Sequence, residues 1–167
     1  RALVRGFAVS GYVADRVNEV LGIDCSVVRS IVDPARYRVE GARQTAVHVN
    51  PDPCKGIEIT LALAERRPDI VFDIVRCWEW TPEVRRIRER AGRLDNVVWH
   101  EPVRDMRALY RRARVLLAPS ICEEAAGRVV QEAQLNGIPV LASDRGGLPE
   151  SVGSGGITVD PEAGLSN

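Results

Sequence analysis

Apolar and polar positions follow two different periods along this chain. Short apolar runs bounded by Gly, Pro, Asn or Asp alternate with segments in which apolar side chains return every three or four positions. The runs predict strands and the segments predict amphipathic helices. The predicted strands are 2–9, 26–29, 46–50, 70–76, 96–100, 114–118, 138–143 and 157–159, and the predicted helices are 12–21, 56–66, 82–91, 105–113 and 127–135.

The order of these elements predicts the fold class. Strands that alternate with helices form βαβ units, so we expect an α/β fold with a Rossmann-like, mainly parallel sheet and flanking helices. A further helix is expected to open at residues 145–150. Ligands of such sheets bind at the carboxyl ends of the strands, and candidate site residues are therefore sought there.

Composition narrows the function classes. The 167 residues can bury a substantial core, and a 45% hydrophobic and 28% charged composition is typical of globular domains. The formal net charge is zero, so no nucleic-acid partner is expected. No apolar run reaches the roughly 20 residues that a membrane-spanning helix needs.

The cysteines are widely spaced and form no Cys-x-x-Cys pair, and the two histidines do not complete a metal-ligand cluster. We therefore predict no metal, and reduced thiols in a cytoplasmic protein, at Cys25, Cys54, Cys77 and Cys122. Cys54 and Cys122 fall in candidate site loops, where each is interpreted as a small filler residue.

Residues 120–150 carry the most informative motif. Glu124 and Glu132 are eight apart, and the pattern places the first at a helix start and the second two turns along the same helix. Gly127 lies between them. Helix N-termini attract phosphate, whereas a carboxylate two turns further on accepts hydrogen bonds from sugar hydroxyls. This combination predicts a sugar-nucleotide site, and the alternative is a solvated helix face.

The block resembles the Glu-x7-Glu motif of the retaining, group 1 or family 4 glycosyltransferases of the GT-B fold. Ala118-Pro-Ser120 precedes the motif, 138–143 follows as a strand, and Arg145-Gly-Gly-Leu-Pro-Glu150 comes next. The resemblance implies that residues 1–40 are a remnant of the N-terminal domain and hinge. It also implies that residues 41–167 are the C-terminal donor-binding domain, truncated at its end.

The resemblance assigns the donor diphosphate to the loop after the 46–50 strand. Lys55, the only lysine among 23 basic residues, precedes Gly56 and is expected to contact the diphosphate and to be catalytic. Asn50 stands where relatives often carry a second, arginine clamp. Either Asn50 contributes a neutral hydrogen bond, or Arg128 or Arg145 replaces the clamp.

The same resemblance assigns the sugar and ribose. Glu124 is expected to hold donor-sugar hydroxyls and to be catalytic, Glu132 to hold the ribose hydroxyls, and the amides of Ala125, Ala126 and Gly127 to face the sugar and phosphates. Glu123 is the second choice if the register is off by one.

The nucleobase is expected against the loop that follows the 96–100 strand. Backbone groups of Pro102 and Val103 are expected to read its edge, with Met106 either padding its face or in the core. Trp78 and Trp80 are assigned either to the base and cleft or to helix packing.

The implied function is transfer of a hexose from a nucleoside diphosphate sugar to an acceptor hydroxyl, with UDP preferred over GDP and no cofactor. The acceptor is expected to be a glycan or glycolipid bound through the missing N-terminal domain. This chain by itself is expected to be inactive. The full-length enzyme is expected to be cytoplasmic, and only the full-length enzyme is expected to be able to associate peripherally with a membrane. A non-catalytic nucleotide-sugar-binding module and a GT-B sugar-nucleotide epimerase are the alternatives. A dinucleotide-dependent dehydrogenase is disfavoured because residues 50–56 lack Gly-x-Gly-x-x-Gly.

Overall fold

The computed structural model describes residues 5–77 and 81–162, and its strands form two parallel sheets. The small sheet pairs β1 (Gly6–Ala8) with β2 (Cys25–Val27). The main sheet contains six strands, namely β3 (Thr45–Val49), β4 (Phe72–Val75), β5 (Val97–His100), β6 (Ala113–Ala118), β7 (Val140–Ser143) and β8 (Gly156–Val159). Their spatial order is β5-β4-β3-β6-β7-β8.

The helices of the described residues are α1 (Gly11–Leu21), α2 (Pro34–Tyr37), α3 (Ile57–Arg66), α4 (Pro82–Ala91), α5 (Arg107–Tyr110), α6 (Arg128–Leu135) and α7 (Leu148–Val152). Side chains cap the starts of α1, α2 and α4. The Ser10 side chain accepts the Val13 amide at the start of α1, and the Thr81 side chain accepts the Val84 amide at the start of α4. These hydroxyls satisfy amides that have no partner within the first helical turn.

The core lies on both faces of the main sheet. On one face, Ile57 and Leu61 of α3 and Ile87 of α4 pack with Ile74 of β4. On the other face, α5, α6 and α7 cover the central strands, through a buried cluster of Val47, Tyr110, Leu116, Val130, Val140, Leu148 and Val152. Burial on both faces explains why the strands read as continuous apolar runs.

The predicted α/β fold with a parallel sheet is confirmed, and two details differ. The predicted helix 105–113 is reduced to the single turn of α5, because Ala113 is already buried in β6. The turn α2 was not predicted, although Asp33 caps it and Pro34 occupies its first position. The domain division at residue 40 stays a prediction, and Trp78 and Trp80 lie outside the described residues.

The strand order creates a crevice at the carboxyl ends of the central strands β3 and β6. The chain runs from β3 outward to β4 and β5, and then returns to place β6 on the other side of β3. The loops that follow β3 and β6 therefore leave adjacent parallel strands in opposite directions. Such a switch point is where open α/β sheets bind their ligands.

Candidate functional site

A cavity of about 390 Å³ opens between the loops after β3 and β6. Its wall includes Lys55, Glu124 and Arg128, together with the buried His48 and Asn50. A second depression, of about 670 Å³, lies between α6 and β8, but no ionisable side chain lines it. The smaller cavity is lined by charged side chains and coincides with the switch point of the sheet, which makes it the candidate site.

Glycine 56 lets the loop after β3 lie against the loop after β6. Asp52 accepts the Cys54 amide and starts a short turn over Pro53–Lys55. Gly56 then adopts a φ of 73°, and a Cβ at this position would lie 1.8 Å from the Pro119 carbonyl oxygen. Only glycine allows this contact, which carries Lys55 across to the second loop.

Lys55 and Glu124 meet inside the cavity. The Lys55 Nζ donates to Glu124 Oε1 at 2.5 Å, and the Ser120 Oγ donates to the same oxygen at 2.6 Å. The two charged side chains retain only 23% and 17% of their exposure. The predicted diphosphate and sugar residues are therefore ion-paired to each other in the structure without donor.

The prediction that Glu124 lies at a helix start is wrong. Helix α6 begins at Arg128, so Glu124 belongs to the preceding loop. Gly127 causes the difference, because its φ of 59° turns the chain just before the helix. A Cβ at Gly127 would meet the Leu148 side chain at 2.6 Å.

Three carbonyl groups of this loop accept hydrogen bonds from residues outside the loop. The Glu124 carbonyl accepts the Gly147 amide at 2.7 Å, and the Ala125 carbonyl accepts the Ser10 hydroxyl at 2.5 Å. The Ala126 carbonyl accepts the Ser151 hydroxyl. Contact of the loop with Gly146-Gly147 is close, since a Cβ on either glycine would lie 2.3 Å from a backbone oxygen of the loop.

Three amides of the loop have no hydrogen-bond partner among the described residues. Ala125, Ala126 and Gly127 line the cavity, and within residues 5–77 and 81–162 their N–H groups donate no hydrogen bond. With the carbonyls anchored elsewhere, these amides can donate to an anion or a hydroxyl in the cavity. That these amides face the sugar and phosphates stays a prediction.

Asn50 supplies a further unpaired donor. It follows β3 with a φ of 70°, a conformation that asparagine tolerates better than most residues, and it is 7% exposed. Its Nδ2 has no hydrogen-bond partner among the described residues. A buried amide without a partner is costly, so a cavity ligand with acceptor oxygens would satisfy it.

His48 lies beneath Asn50 and was missed by the sequence analysis as a site residue. Burial lowers the pKa of His48 to about 4, and Lys55 contributes in the same direction. Its Nε2 lies 3.3 Å from the Asn50 carbonyl and its Nδ1 lies 2.8 Å from the Thr60 hydroxyl. The carbonyl only accepts, so Nε2 carries the proton of a neutral imidazole.

Glu132 lies outside the cavity wall. The Tyr110 hydroxyl donates to its Oε2 at 2.7 Å, and the Arg128 Nε lies 3.1 Å from its Oε1. Burial and the neighbouring Glu132 raise the pKa of Tyr110. The guanidinium of Arg128 also donates to the Tyr37 hydroxyl at 2.9 Å. Arg128 therefore lines the cavity and pairs with Glu132, which is not part of the cavity wall.

Four other predicted residues lie away from the cavity. Pro102 and Val103 are exposed in the loop after β5, two strands from β3. Met106 is partly buried and packs against the core, as one of its two interpretations held. Arg145, the alternative clamp, pairs instead with carboxylates of Asp144, Asp160 and Glu162.

The prediction of four reduced thiols is wrong for two of them. Cys54 and Cys122 form a disulfide with a Cα–Cα distance of 5.3 Å, whereas Cys25 and Cys77 are free. The pairing follows from the adjacency of β3 and β6, which brings the two loops together. Cys54 and Cys122 are thus linked to each other and are not the isolated fillers that the sequence suggested.

The N-terminal segment also contributes to the site. Val9 and Ser30 line the cavity, although the sequence analysis assigned neither a role. Glu150 accepts the Gly11 amide at 2.7 Å and the Arg29 guanidinium at 2.8 Å. These contacts fasten the start of α1 and the segment after β2 to α7.

Among residues 5–77 and 81–162, no three His, Cys, Asp or Glu side chains are arranged to hold a metal ion. In the same part of the chain, every helix is too short or too polar to cross a bilayer.

Known proteins match this chain in sequence and in fold. A sequence model of the family described as "Glycosyl transferases group 1" matches residues 56–166. The D-inositol 3-phosphate glycosyltransferase of Corynebacterium glutamicum (strain R) is 33% identical over 122 residues, which are 65% of this chain and 29% of that protein.

Two solved structures share the fold. A glycosyltransferase from Rickettsia africae ESF-5 superposes with a TM-score of 0.81 at 20% identity, covering 94% of this chain and 49% of its own. Anabaena HepE, solved in complex with UDP-glucose, gives a TM-score of 0.81 at 23% identity, with coverages of 93% and 49%. The chain thus spans about half of these solved proteins and under a third of the curated relative.

Proposed function

Because this chain belongs to the group 1 glycosyltransferases, we propose that it is the donor-binding part of a retaining, family 4 enzyme of the GT-B fold. That enzyme moves a hexose from UDP to an acceptor hydroxyl. The observation that carries the proposal is the pairing of Lys55 with Glu124 in a cavity lined by unpaired amides. A cation, neutral donors and a carboxylate together match a diphosphate joined to a polyhydroxylated sugar.

Donor binding divides the Lys55–Glu124 pair. Without donor, each charge compensates the other in a half-buried place, where an unpaired charge would be costly. When the diphosphate enters, Lys55 turns to its oxygens and Glu124 is released to accept hydrogen bonds from sugar hydroxyls. The pair therefore keeps both groups in position until the ligand arrives.

Neutral donors complete the diphosphate site. The Asn50 amide, which lacks a partner among the described residues, donates to a phosphate oxygen, as do the amides of Ala125, Ala126 and Gly127. Fixed donors of this kind stabilise the negative charge that grows on the leaving diphosphate without having to reorganise. We expect the diphosphate itself to help deprotonate the acceptor, on the same face of the sugar as the departing bond.

Arg128 and Glu132 change partners in the nucleotide complex. The Arg128 side chain is 57% exposed and can swing toward the phosphates, which opens Glu132 to the ribose hydroxyls. Tyr110 keeps hold of the other Glu132 oxygen and so maintains the orientation of the carboxylate. Pro102 and Val103 contact the base through backbone groups, since their loop follows the carboxyl end of β5, on the same side of the sheet as the cavity loops.

UDP is the preferred nucleotide because Anabaena HepE, which shares the fold, was solved with UDP-glucose. The acceptor is a glycan or glycolipid bound by the remainder of the full-length enzyme, which is cytoplasmic and peripheral to the membrane at most. This chain spans about half of its solved relatives, so we expect it to bind donor weakly and to turn over little or none by itself.

Calorimetric titration of this chain with UDP, GDP, ADP and NAD tests the proposal. Selective binding of UDP is expected, and preferential binding of NAD would contradict it. A longer protein that includes the remaining half should transfer hexose from UDP-glucose with retention, read from the anomeric proton by NMR. Inversion at that carbon would disprove the retaining assignment, and binding without transfer would favour a non-catalytic module.

A further inference from the structure

The disulfide joins the two loops that carry the donor-binding charges. Cys54 directly precedes Lys55 in the loop after β3, and Cys122 lies two residues before Glu124 in the loop after β6. The bond spans a sequence separation of 68 residues, yet it lies beside the 2.5 Å ion pair that lines the cavity. A covalent link at this position restricts how Lys55 and Glu124 can move relative to each other.

Weaker contacts hold the same loops together. The Cys54 carbonyl accepts the Ile121 amide at 3.0 Å and the Cys122 amide at 3.3 Å, and Gly56 lies against Pro119. These contacts do not involve the sulfur atoms, so the S–S bond is one of several links between the two loops. What the bond adds is a restraint on the loop segments that bear the charges.

The two bonded cysteines differ in exposure. Cys122 is exposed and Cys54 is half-buried, so we expect a reducing thiolate to attack the Cys122 sulfur. The two free cysteines differ in place, since Cys25 lies in β2 while Cys77 lines the cavity, where burial raises the pKa of its thiol. Neither belongs to the two loops that the disulfide joins.

We propose that Cys54 and Cys122 are positioning residues for Lys55 and Glu124, and that reducing their bond weakens donor binding by this chain. The inference rests on the proposed function and adds redox control of the same site. The oxidised form binds more tightly because its loops are preorganised, so less conformational entropy is lost when the donor binds.

The reduction is an ordinary thiol–disulfide exchange with a dithiol. One thiolate of the dithiol attacks the Cys122 sulfur, a mixed disulfide forms, and Cys54 leaves as a thiolate that takes up a proton. The second thiol of the dithiol then attacks the mixed disulfide and releases Cys122. The dithiol gives up two electrons and becomes a cyclic disulfide, while the protein gains two thiols.

The test is calorimetric titration with UDP and with UDP-glucose, before and after treatment with dithiothreitol, with the disulfide mapped by peptide mass spectrometry. We expect reduction to raise the Kd for UDP-glucose about tenfold, because the loops are then less preorganised. Cys54→Ser and Cys122→Ser should bind as the reduced protein does, with or without the dithiol. Cys25→Ser should keep the full response of the unmodified chain.

The outcomes separate this inference from the proposed function. Equal UDP-glucose affinity in both mapped redox states would overturn the inference and leave the proposed function standing, as would a mapped pairing other than Cys54–Cys122. Absence of nucleoside diphosphate binding in both states would overturn the two together. If a serine variant does not fold, the reduced unmodified chain still decides.

Discussion

Two Glu residues eight positions apart each pair with a basic side chain, yet their surroundings differ. Glu124 lies in a loop, and both its partners, Lys55 and Ser120, line the cavity with it. Glu132 lies in α6, outside the cavity wall, with Tyr110 behind it and the exposed Arg128 in front. A ligand in the cavity can separate Lys55 from Glu124. Glu132 instead stays bound to Tyr110 in the core, and only Arg128 can move away from it.

The first pair can be broken most severely at its cation. Lys55→Ala removes the charge that meets the diphosphate and leaves Glu124 as an uncompensated carboxylate in the cavity. We expect UDP affinity to fall about a hundredfold, because charged hydrogen bonds are the strongest polar contacts. Calorimetry measures the loss, and Arg16→Ala, which removes an exposed ion pair on α1, is the control that should bind normally. Unchanged UDP binding by Lys55→Ala would remove Lys55 from the site.

The second pair can be broken from the core side. Tyr110→Phe leaves one oxygen of the buried Glu132 carboxylate without its donor, so we expect about 2 kcal/mol less stability in urea unfolding. Tyr37→Phe is the matched control, since its hydroxyl meets Arg128 at the surface and should cost far less. Equal costs for the two variants would show that Tyr110 does not anchor Glu132.

The role of Glu124 can be sharpened by comparing ligands with and without a sugar. Glu124→Gln should weaken UDP-glucose binding about tenfold and leave UDP binding nearly unchanged, because only the sugar hydroxyls lose their charged acceptor. Glu123→Gln changes the adjacent, exposed carboxylate and should affect neither ligand. If Glu123→Gln carried the effect instead, the motif would be read one residue too late.

The smallest expected effect is at the N-terminal segment. Ser10→Ala removes both the cap of α1 and the donor to the Ala125 carbonyl, so we expect about 1 kcal/mol less stability and a slight loss of UDP-glucose affinity. Ser10→Thr should restore both properties, and Ser26→Ala, an exposed position in β2, serves as the control. A Ser10→Ala variant of unchanged stability would mean that the segment does not brace the loop.

Hydrophobic period predicted most of this fold. Strand and helix positions are local properties, and runs such as 72–75 and stripes such as Ile57, Leu61 and Ala64 reveal them directly. The sugar-nucleotide hypothesis arose from one ordered block of residues and from a single lysine beside a glycine. Lys55, Glu124 and the three residues that follow Glu124 do line the cavity, whereas Glu132, Arg145, Pro102 and Val103 do not.

The remaining features depend on which elements become neighbours. Cys54 and Cys122 are paired because β6 returns to lie beside β3, and periodicity does not reveal strand order. The same limit hid the contact of Ser10 with Ala125. The turn at Gly127 places Glu124 before the helix rather than in it. The hydrogen bond of Tyr110 to Glu132 joins residues 22 positions apart and was not predictable from local sequence.

The most direct test of the account is a crystal structure of this chain soaked with UDP-glucose. We expect the diphosphate to enter between the loops after β3 and β6, with Lys55 Nζ moved from Glu124 to a phosphate oxygen and Glu124 bound to a sugar hydroxyl. A donor bound elsewhere, with the Lys55–Glu124 pair still intact, would contradict the claim that the ligand divides this pair.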